Sequence, residues 1–463
     1  MITQRSSFTG SIGFVLAAAG SAVGLGNIWR FPYLAAKDGG GIFLLVYIIL
    51  ALTFGFALLT CEIAMGRRTQ KGPLSAYGRM YPKFKNLGVV ACLIPFLIMP
   101  YYSVICGWVL KYTVAFATGN GLETATDGYF GNFITSVSEP IIYTVISLVV
   151  VTFVIIRGVN RGIEQISKVL MPILIILILG ISIYSLTLNH TTDEGVTRTG
   201  LQGLKHLVVP DFENLTLSGL FTVIVDATGQ LFFSLSVAMG IMVSYGSYVK
   251  DDNNLMTSIN KIEIFDTVVA FLAGVMVIPV VYVFMGTDGM KASGPGLIFE
   301  SIPKVFATMG FAGNIFGTLF FVMVLFAALT SAISIMEAVV SSIIDKTGCK
   351  RKNATAFEFW LALVIAVVVC LGYNIFYFEL KLPNGSTAQI LDILDYISNY
   401  LLMPLLALLT CIMIGWIITP TKIIDEVTKN GEHFNRKTIF VLMVKYVAPV
   451  MLLIILLKSF GLL

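Results

Sequence analysis

Apolar stretches of about 20 residues recur along the whole chain, and a stretch of that length crosses a bilayer as an α-helix. The chain is 57% hydrophobic, and only 12% of its 463 residues are charged. A soluble domain carries about 25% charged residues, roughly twice as many. The sequence therefore predicts an all-α polytopic membrane protein that is embedded in a lipid bilayer.

Eleven membrane helices are predicted, and their ends follow the ends of the apolar runs. From helix 1 to helix 11, the predicted spans are about 11–35, 41–66, 88–117, 140–156, 163–187, 217–248, 259–286, 312–344, 355–374, 387–418 and 438–460.

The distribution of positive charge predicts the orientation. Lys and Arg concentrate in the loops that follow helices 2, 4, 6, 8 and 10, whereas the loops after the odd-numbered helices carry few. Basic loops stay on the cytoplasmic side of a membrane. We therefore expect a cytoplasmic N-terminus and, with eleven spans, a C-terminus outside.

The residue inventory argues against several other classes of protein. The six cysteines show no disulfide or metal-ligand spacing, and the three histidines lie in predicted loops. The spans contain no pattern typical of a nucleophile–base pair or a metal cluster, so we expect no enzymatic activity. The net charge is only +4, and we expect no nucleic-acid partner.

Helix 1 is interrupted between residues 20 and 32, where the sequence reads GSAVGLGNIWRFP. Glycine inside a helix costs about 1 kcal/mol relative to Ala, proline removes a backbone donor, and Arg at membrane depth costs a few kcal/mol. Broken backbone at this depth is tolerated where it lines a cavity. The stretch predicts a ligand site, although the glycines alone would also suit a close helix-packing face.

Helix 6 repeats this anomaly in residues 229–240, which read GQLFFSLSVAMG. It opens a second group of five helices, as helix 1 opens the first. Two interrupted helices at corresponding positions indicate a secondary transporter built from inverted repeats, with its site at the midplane. The predicted organisation is a first inverted repeat at 1–187, an extracellular connection at 188–216, a second inverted repeat at 217–418, and a cytoplasmic loop with helix 11 at 419–463.

Polar side chains in the spans fit a site for sodium and a zwitterion. Sodium prefers oxygen ligands, as harder divalent cations do. Half-helix N-termini and unwound carbonyls would hold a carboxylate and an ammonium group. An intramembrane carboxylate such as Asp266 is a functional-site hypothesis by default, whereas a Ser or Thr hydroxyl can also bond back to its own helix. The side-chain oxygens come from Asn27, Ser234, Asp266, Thr330 and Ser331.

Several motifs together resemble the neurotransmitter:sodium symporter family. They are GSAVGLGNIWRFPY, the Asp38–Gly41 stretch, Glu62 in CEIAMGR, Tyr101-Tyr102, RGVNRGIEQISK, GQLFFSLSVAMG and Leu329-Thr330-Ser331. The resemblance covers nearly the whole chain. It is greatest to prokaryotic amino-acid transporters, which include the leucine transporter and the eleven-helix transporters of tyrosine and of multiple hydrophobic amino acids. The absence of a twelfth helix fits the eleven-helix group.

The resemblance implies roles for particular residues. The substrate site would comprise Ala22, Leu25, Gly26, Ile98, Tyr102, Phe233, Ser234, Ser236, Met239, Ser331 and Ile335. The first sodium site would use Ala22, Asn27, Ser234, Asp266 and the substrate carboxylate, and the second would use Gly20, Val23, Ala327, Thr330 and Ser331. The gates would be Arg30 with Asp395 outside, and Arg5 with Asp345 inside, beside Tyr248. Support would come from Glu62, Gln230, Gly162 and Pro172.

Three positions depart from the family pattern. Phe8 stands where Trp is usual, so the inner gate could be looser. Asp266 stands where many members have Asn, and Ala270 where chloride-dependent members have Ser, whereas Tyr47, Gln230 and Ser234 are retained. A carboxylate at position 266 could replace the charge of chloride, so we expect no chloride requirement.

The expected function is sodium-coupled symport of neutral amino acids by alternating access in the prokaryotic plasma membrane. Met239 is unbranched and adaptable, and no acid or base lines the expected side-chain pocket apart from the sodium ligands. Trp, Tyr, Phe or Leu are therefore the favoured substrates. Two alternatives stay open: a transporter of a related small aromatic or aliphatic amine, and an amino-acid sensor that does not transport.

Overall fold

The computed structural model describes residues 7–192, 195–210, 212, 215–289 and 294–463. Among these residues, ten helices are long and apolar enough to cross a membrane, or eleven when a bent pair counts as one span. The predicted fold class, an all-α membrane protein, is confirmed. Arg5, predicted as an inner gate residue, lies outside the described residues.

The observed spans agree with the predicted ones to within a few residues at most ends. Helix 1 consists of Ser11–Ala22 and Gly26–Lys37, which are bent by 51° relative to each other. Helices 2 to 11 are Gly41–Thr69, Pro82–Ala117, Glu139–Ile156, Val159–Thr187, Leu217–Ser234, Leu255–Thr287, Phe311–Thr347, Arg351–Leu371, Ile390–Ile417 and Lys437–Ser459.

The predicted break in helix 6 is also present. Its long first half ends at Ser234, and a short second half follows at Ile241–Gly246. The connection holds Ser236 at φ 51° and Ala238 at φ 56°. This left-handed backbone is costly for residues with a Cβ atom, so the surrounding structure must impose it.

Shorter elements lie between the spans and were not predicted. They include two antiparallel hairpins, each of two strands. The strands are Asn189–Thr191 with Thr197–Thr199, and Leu380–Lys381 with Thr387–Ala388. The short helices between spans include Pro73–Met80, Tyr129–Thr135, Gly200–Val208, Ile302–Thr308 and Thr421–Val427.

Burial separates interior spans from peripheral ones. The most apolar window of helix 8 is 72% buried inside the protein, whereas that of helix 11 is only 22% buried. Helix 2 packs directly on the second half of helix 6, because Gly66 contacts the Val243 carbonyl and Gly246 contacts the Ile63 carbonyl. A Cβ atom at either glycine would collide with backbone, so small residues set this close packing.

Candidate functional site

The break in helix 1 redirects its backbone hydrogen bonds. In a continuous helix the Gly24 amide would bond the Gly20 carbonyl, but here it donates to Asn27 Oδ1 over 3.3 Å. Val23, just after the first half, has an extended conformation (φ −75°, ψ 93°). The first half therefore ends with carbonyls, and the second begins with amides, at one point inside the protein. Such ends attract cations and anions respectively.

Asp266 of helix 7 is the centre of the first candidate cation site. Its carboxylate accepts hydrogen bonds from Asn27 Nδ2 (2.9 Å), Ser234 Oγ (2.7 Å) and the Tyr47 hydroxyl (3.2 Å). All four side chains are buried. The site thus combines a carboxylate, an amide oxygen and a hydroxyl, which are the hard oxygen donors that fit sodium. Ala22, the remaining predicted ligand, ends the first half of helix 1 beside this group.

The second candidate cation site lies between helices 1 and 8. A Cβ atom at Gly20 would lie 3.4 Å from Thr330 Cβ, so the two helices approach closely. Ser331 Oγ donates to the Ser21 carbonyl over 3.1 Å, and Thr330 Oγ1 donates to the Ala327 carbonyl over 3.1 Å. The Ser331 hydroxyl thus bonds the last turn of the first half of helix 1, and Val23 follows directly after that half. The donor set again suits sodium.

A single small cavity lies beside these two groups. Its volume is about 20 Å³, which is room for about one water molecule, so a larger ligand requires its walls to separate. All eleven predicted substrate residues line it, namely Ala22, Leu25, Gly26, Ile98, Tyr102, Phe233, Ser234, Ser236, Met239, Ser331 and Ile335.

Three lining residues were missed by the sequence analysis: Ser21, Gly24 and Ile241. A Cβ atom at Gly24 would lie 2.7 Å from Ser331 Oγ, so this glycine leaves room for the hydroxyl. Ser21 and Gly24 lie inside the interrupted stretch of helix 1, and that interruption was the available signal. Ile241 follows the break in helix 6 directly, and position beside the break was the only signal there.

We call the membrane side that holds residues 7–10 the N-terminal side, and the other the distal side. Phe233 closes the cavity distally, and a Cβ atom at Gly26 would lie 2.6 Å from its ring. The Arg30 guanidinium lies 5.8 Å from the centre of the Phe233 ring and 5.9 Å from that of Tyr400. Above Phe233 a second cavity of about 340 Å³ opens distally.

The predicted outer gate pair is not in direct contact. Among the described residues, no ion pair within 4.0 Å joins Arg30 to Asp395. The Asp395 carboxylate instead accepts hydrogen bonds from the Tyr101 hydroxyl (3.1 Å) and from Asn399 Nδ2 (2.5 Å). The distal closure is therefore made by ring packing rather than by this ion pair.

A group of charges lies at the distal rim. Asp226 Oδ2 lies 2.8 Å from Lys37 Nζ, and its Oδ1 lies 2.8 Å from Lys458 Nζ. These contacts connect helices 1, 6 and 11. Asp38 lies in the turn after helix 1, where burial, together with the nearby Asp226 carboxylate, raises its pKa to about 6. The sequence analysis did not identify Asp226 or Lys458.

The N-terminal side is closed by aromatic packing. Phe8 is fully buried, and its ring centre lies 5.6 Å from that of Phe14, 5.8 Å from Tyr245 and 6.3 Å from Tyr248. The Thr9 amide, next in the chain, donates to Glu164 of helix 5 over 2.9 Å. The Phe8 ring thus fills the centre of this aromatic packing.

Buried ionic contacts accompany this packing. The Tyr248 hydroxyl donates to Glu337 Oε1 over 2.6 Å, and Arg351 binds both oxygens of Glu337 at 2.6 and 2.7 Å. Asp345, the predicted gate acid, accepts the Gly72 amide over 2.5 Å. Glu337 and Arg351 were missed, although an acid within an apolar span was a usable signal.

The predicted supporting residues lie around the two breaks and in helix 5. Glu62 Oε1 accepts the Ala238 amide over 2.5 Å, which satisfies an amide of the unwound part of helix 6. Gln230 Nε2 donates to the Gly26 carbonyl over 3.0 Å. Gly162 lies against the Val154 carbonyl, where no Cβ atom fits, and Pro172 lies inside helix 5.

Comparison with known proteins assigns a family to this arrangement. The model of the sodium:neurotransmitter symporter family matches residues 5–124 and 130–462. The uncharacterized sodium-dependent transporter YhdH of Bacillus subtilis (strain 168) is 35% identical, over 98% of this chain and 97% of its own. The uncharacterized sodium-dependent transporter MJ1319 of Methanocaldococcus jannaschii is 31% identical, over 93% of this chain and 85% of its own.

A solved structure shares the whole fold. The crystal structure of MhsT in complex with L-phenylalanine superimposes with a TM-score of 0.85 and 31% sequence identity, and the match covers 99% of this chain and 100% of that one. The family match, the bacterial and archaeal relatives and the shared fold agree with the broken helices and the oxygen-lined sites. The chain belongs to the sodium:neurotransmitter symporter family and is a sodium-dependent membrane transporter.

Proposed function

We propose that this protein imports neutral hydrophobic or aromatic amino acids together with sodium by alternating access. The observation that carries the proposal is the meeting of three features at one cavity. These are the Asp266 oxygen cluster, which reaches the cavity through Ser234, the amides that begin the second half of helix 1, and a wall that is mostly apolar and carries no charged side chain. The amides would bind a substrate carboxylate, and oxygens near Asp266 would bind sodium.

The apolar wall supports the choice of substrate. Ile98, Met239, Ile241 and Ile335 line the cavity. Ser234, which also lines it, donates to the Asp266 carboxylate behind the wall. A charged side chain would be buried here without a partner and rejected. MhsT, which shares the fold, was crystallised with L-phenylalanine. We therefore favour Trp, Tyr, Phe or Leu, and the adaptable Met239 would accommodate more than one of them.

The transport cycle would couple the two sodium sites to the two closures. Substrate and two sodium ions would bind from the distal side, after Phe233 and the Arg30 end of helix 1 move away from the cavity. Loss of sodium between Gly20 and Thr330 would then release the first half of helix 1 toward the cytoplasm. The basic loops after even-numbered helices support a cytoplasmic N-terminal side in a prokaryotic plasma membrane. Each positive charge that moves inward through 100 mV gains about 2.3 kcal/mol.

Transport would require no chloride. The Tyr47 and Ser234 hydroxyls, which stand at chloride-site positions of the family, already donate toward the Asp266 carboxylate. Ala270, one turn further along helix 7, is fully buried and offers no hydroxyl. A fixed carboxylate thus satisfies the donors that an anion would use elsewhere.

The first test is a competition assay on the purified protein. Displacement of a labelled aromatic amino acid would be measured with and without sodium. We expect Trp, Tyr, Phe and Leu to compete in sodium, and Lys and Glu not to compete. Displacement by simple amines alone would favour the amine-transporter alternative, and binding that ignores sodium would overturn the proposal.

Flux measurements in liposomes then separate transport from sensing. Sodium-driven uptake that is unchanged by added chloride would support the proposal, and a several-fold rise with chloride would contradict chloride independence. The Asp266→Asn variant would be measured beside the wild type, because asparagine keeps the shape of the side chain and removes the negative charge that would replace chloride. Saturable binding without uptake would instead identify a sensor.

A further inference from the structure

The transport cycle proposed above gives no role to Glu358, a buried acid of helix 9. Glu358 of helix 9 is fully buried. Both of its carboxylate oxygens lack a hydrogen-bond partner within the described part of the chain. Thr355, one turn earlier on the same buried face, also has an unpartnered hydroxyl. Buried polar groups without partners are rare in folded proteins.

The described residues around Glu358 are weakly polar and provide no counter-charge. Helix 9 packs against helices 3, 4 and 8. The Cys92 thiol of helix 3 lies near both the Glu358 carboxyl and Ser342 of helix 8. The other buried residues of the helix 9 face include Ala354, Ala362 and Ala366.

The charged groups on the packed elements are engaged elsewhere or exposed. On helix 9, Arg351 lies two turns away and binds Glu337 of helix 8 with both nitrogens. Further along helix 8, Asp345 contacts Lys71. Helix 4 carries no Lys, Arg or Asp between 140 and 156, and Arg79, which follows helix 2 in the chain, is exposed. No ion pair to Glu358 occurs within the described ranges.

An ionised carboxylate in such a place costs many kcal/mol, and a buried acid without a cation takes up a proton instead. From this unpartnered, fully buried carboxyl we infer that Glu358 is a proton-binding site. The proton is bound when helices 3, 8 and 9 are packed as observed. Its binding free energy stabilises that packing, independently of which substrate is transported.

Thermodynamic linkage gives the sign of the effect. The folded protein holds a proton on Glu358 at pH values where the unfolded chain, with an ordinary Glu pKa of about 4.3, has lost it. Stability therefore falls as the pH rises above that value, by up to about tenfold in the unfolding equilibrium constant per pH unit. The dependence ends once the folded protein also releases the proton.

Infrared spectroscopy tests the bound proton directly. Spectra of the purified full-length protein and of Glu358→Gln would be compared at neutral pH in water and in heavy water. We expect the wild type to show an additional carbonyl band of a protonated carboxylic acid, sensitive to deuterium exchange. Loss of an ionised carboxylate band in the variant would overturn the proposal. Glu123→Gln, at an exposed acid, is the control and should lose only a carboxylate band.

Thermal unfolding as a function of pH supplies the second readout. The wild type should lose stability as the pH rises from about 4.3 until the folded protein releases the proton, whereas Glu358→Gln should show a flatter profile over that range. Parallel profiles would contradict the proposal. Should the amide variant fail to fold, Glu358→Leu removes the titrating group without leaving a polar one, and the infrared difference between this variant and the wild type still shows whether the protonated band belongs to Glu358.

Discussion

The two ends of the transport path are closed in different ways. On the N-terminal side, Phe8 is packed among aromatic rings, and Glu337 is held by Tyr248 and by both nitrogens of Arg351. On the distal side, one ring, Phe233, covers the cavity below an open volume of about 340 Å³. Of the charged side chains near that ring, Arg30 packs on aromatic rings and Asp395 accepts hydrogen bonds from neutral groups.

This difference indicates which side opens more readily from the observed state. Loss of one partner of a buried, bidentate ion pair strongly destabilises the folded protein. A partly exposed ion pair, in contrast, contributes only about 0–1 kcal/mol to its stability. The distal side depends on ring contacts and on pairs at its rim. We therefore regard this conformation as firmly closed toward the N-terminus and weakly closed on the distal side.

The largest expected effect comes from breaking the N-terminal pair. Glu337→Gln leaves the Arg351 guanidinium, whose side chain is only 18% exposed, without its counter-charge, which costs about 3–5 kcal/mol. We expect a large fall in the thermal midpoint and loss of uptake. The double variant Glu337→Leu/Arg351→Leu removes both charges and should recover much of the stability. Equal losses in both variants would show that the charge pair is not what closes this side.

Blocking the distal ring should give the next largest effect. In Gly26→Ala the new methyl group would lie 2.6 Å from the Phe233 ring, so the ring cannot cover the cavity as observed. We expect affinity for a labelled amino acid to fall at least about tenfold, or about 1.4 kcal/mol. Gly180→Ala is the control, since nothing lies within 4 Å of a Cβ atom there. Unchanged binding in Gly26→Ala would mean that Phe233 does not form the lid.

A smaller effect on stability is expected from the titration of Asp38 at the distal rim. Burial and Asp226 raise the pKa of Asp38 from 3.8 to about 6, so the folded protein holds this proton where the unfolded chain does not. Stability should therefore fall as the pH rises through about 4 to 6, and it should be unaffected by Asp38 above that range. The thermal midpoint of Asp38→Asn should change less with pH than that of the wild type between about pH 4 and 6, and equally outside this range. A profile identical to that of the wild type would argue against the raised pKa.

The smallest effect is expected from the rim pair itself. Lys458 is 44% exposed and Asp226 is 15% exposed, and exposed pairs of this kind contribute about 0.2–1 kcal/mol. Lys458→Gln should lower the thermal midpoint slightly at low salt and hardly at all at high salt. Lys381→Gln, at an exposed lysine of the second hairpin, provides the control. A loss as large as that of Glu337→Gln would remove the contrast between the two sides.

Much of the fold could be predicted from local sequence. Hydrophobic runs set the spans within a few residues, because a bilayer fixes how long an apolar helix must be. Gly, Pro and polar residues in residues 20–32 and 229–240 predicted both breaks, because helices avoid such residues unless the break has a purpose. The resemblance carried by these motifs then identified all eleven predicted substrate residues that meet at the cavity.

Other features were decided only by tertiary structure. Arg351 pairs with Glu337 and Asp226 with two lysines from different helices, whereas Glu358 finds no hydrogen-bond partner among the residues that the structure describes. Sequence shows that these charges exist within or beside apolar spans. It does not show which helix brings a partner, because pairing depends on packing between segments that are far apart in the chain. The free energy of each charge is set by that packing, through burial and the distance to its partner.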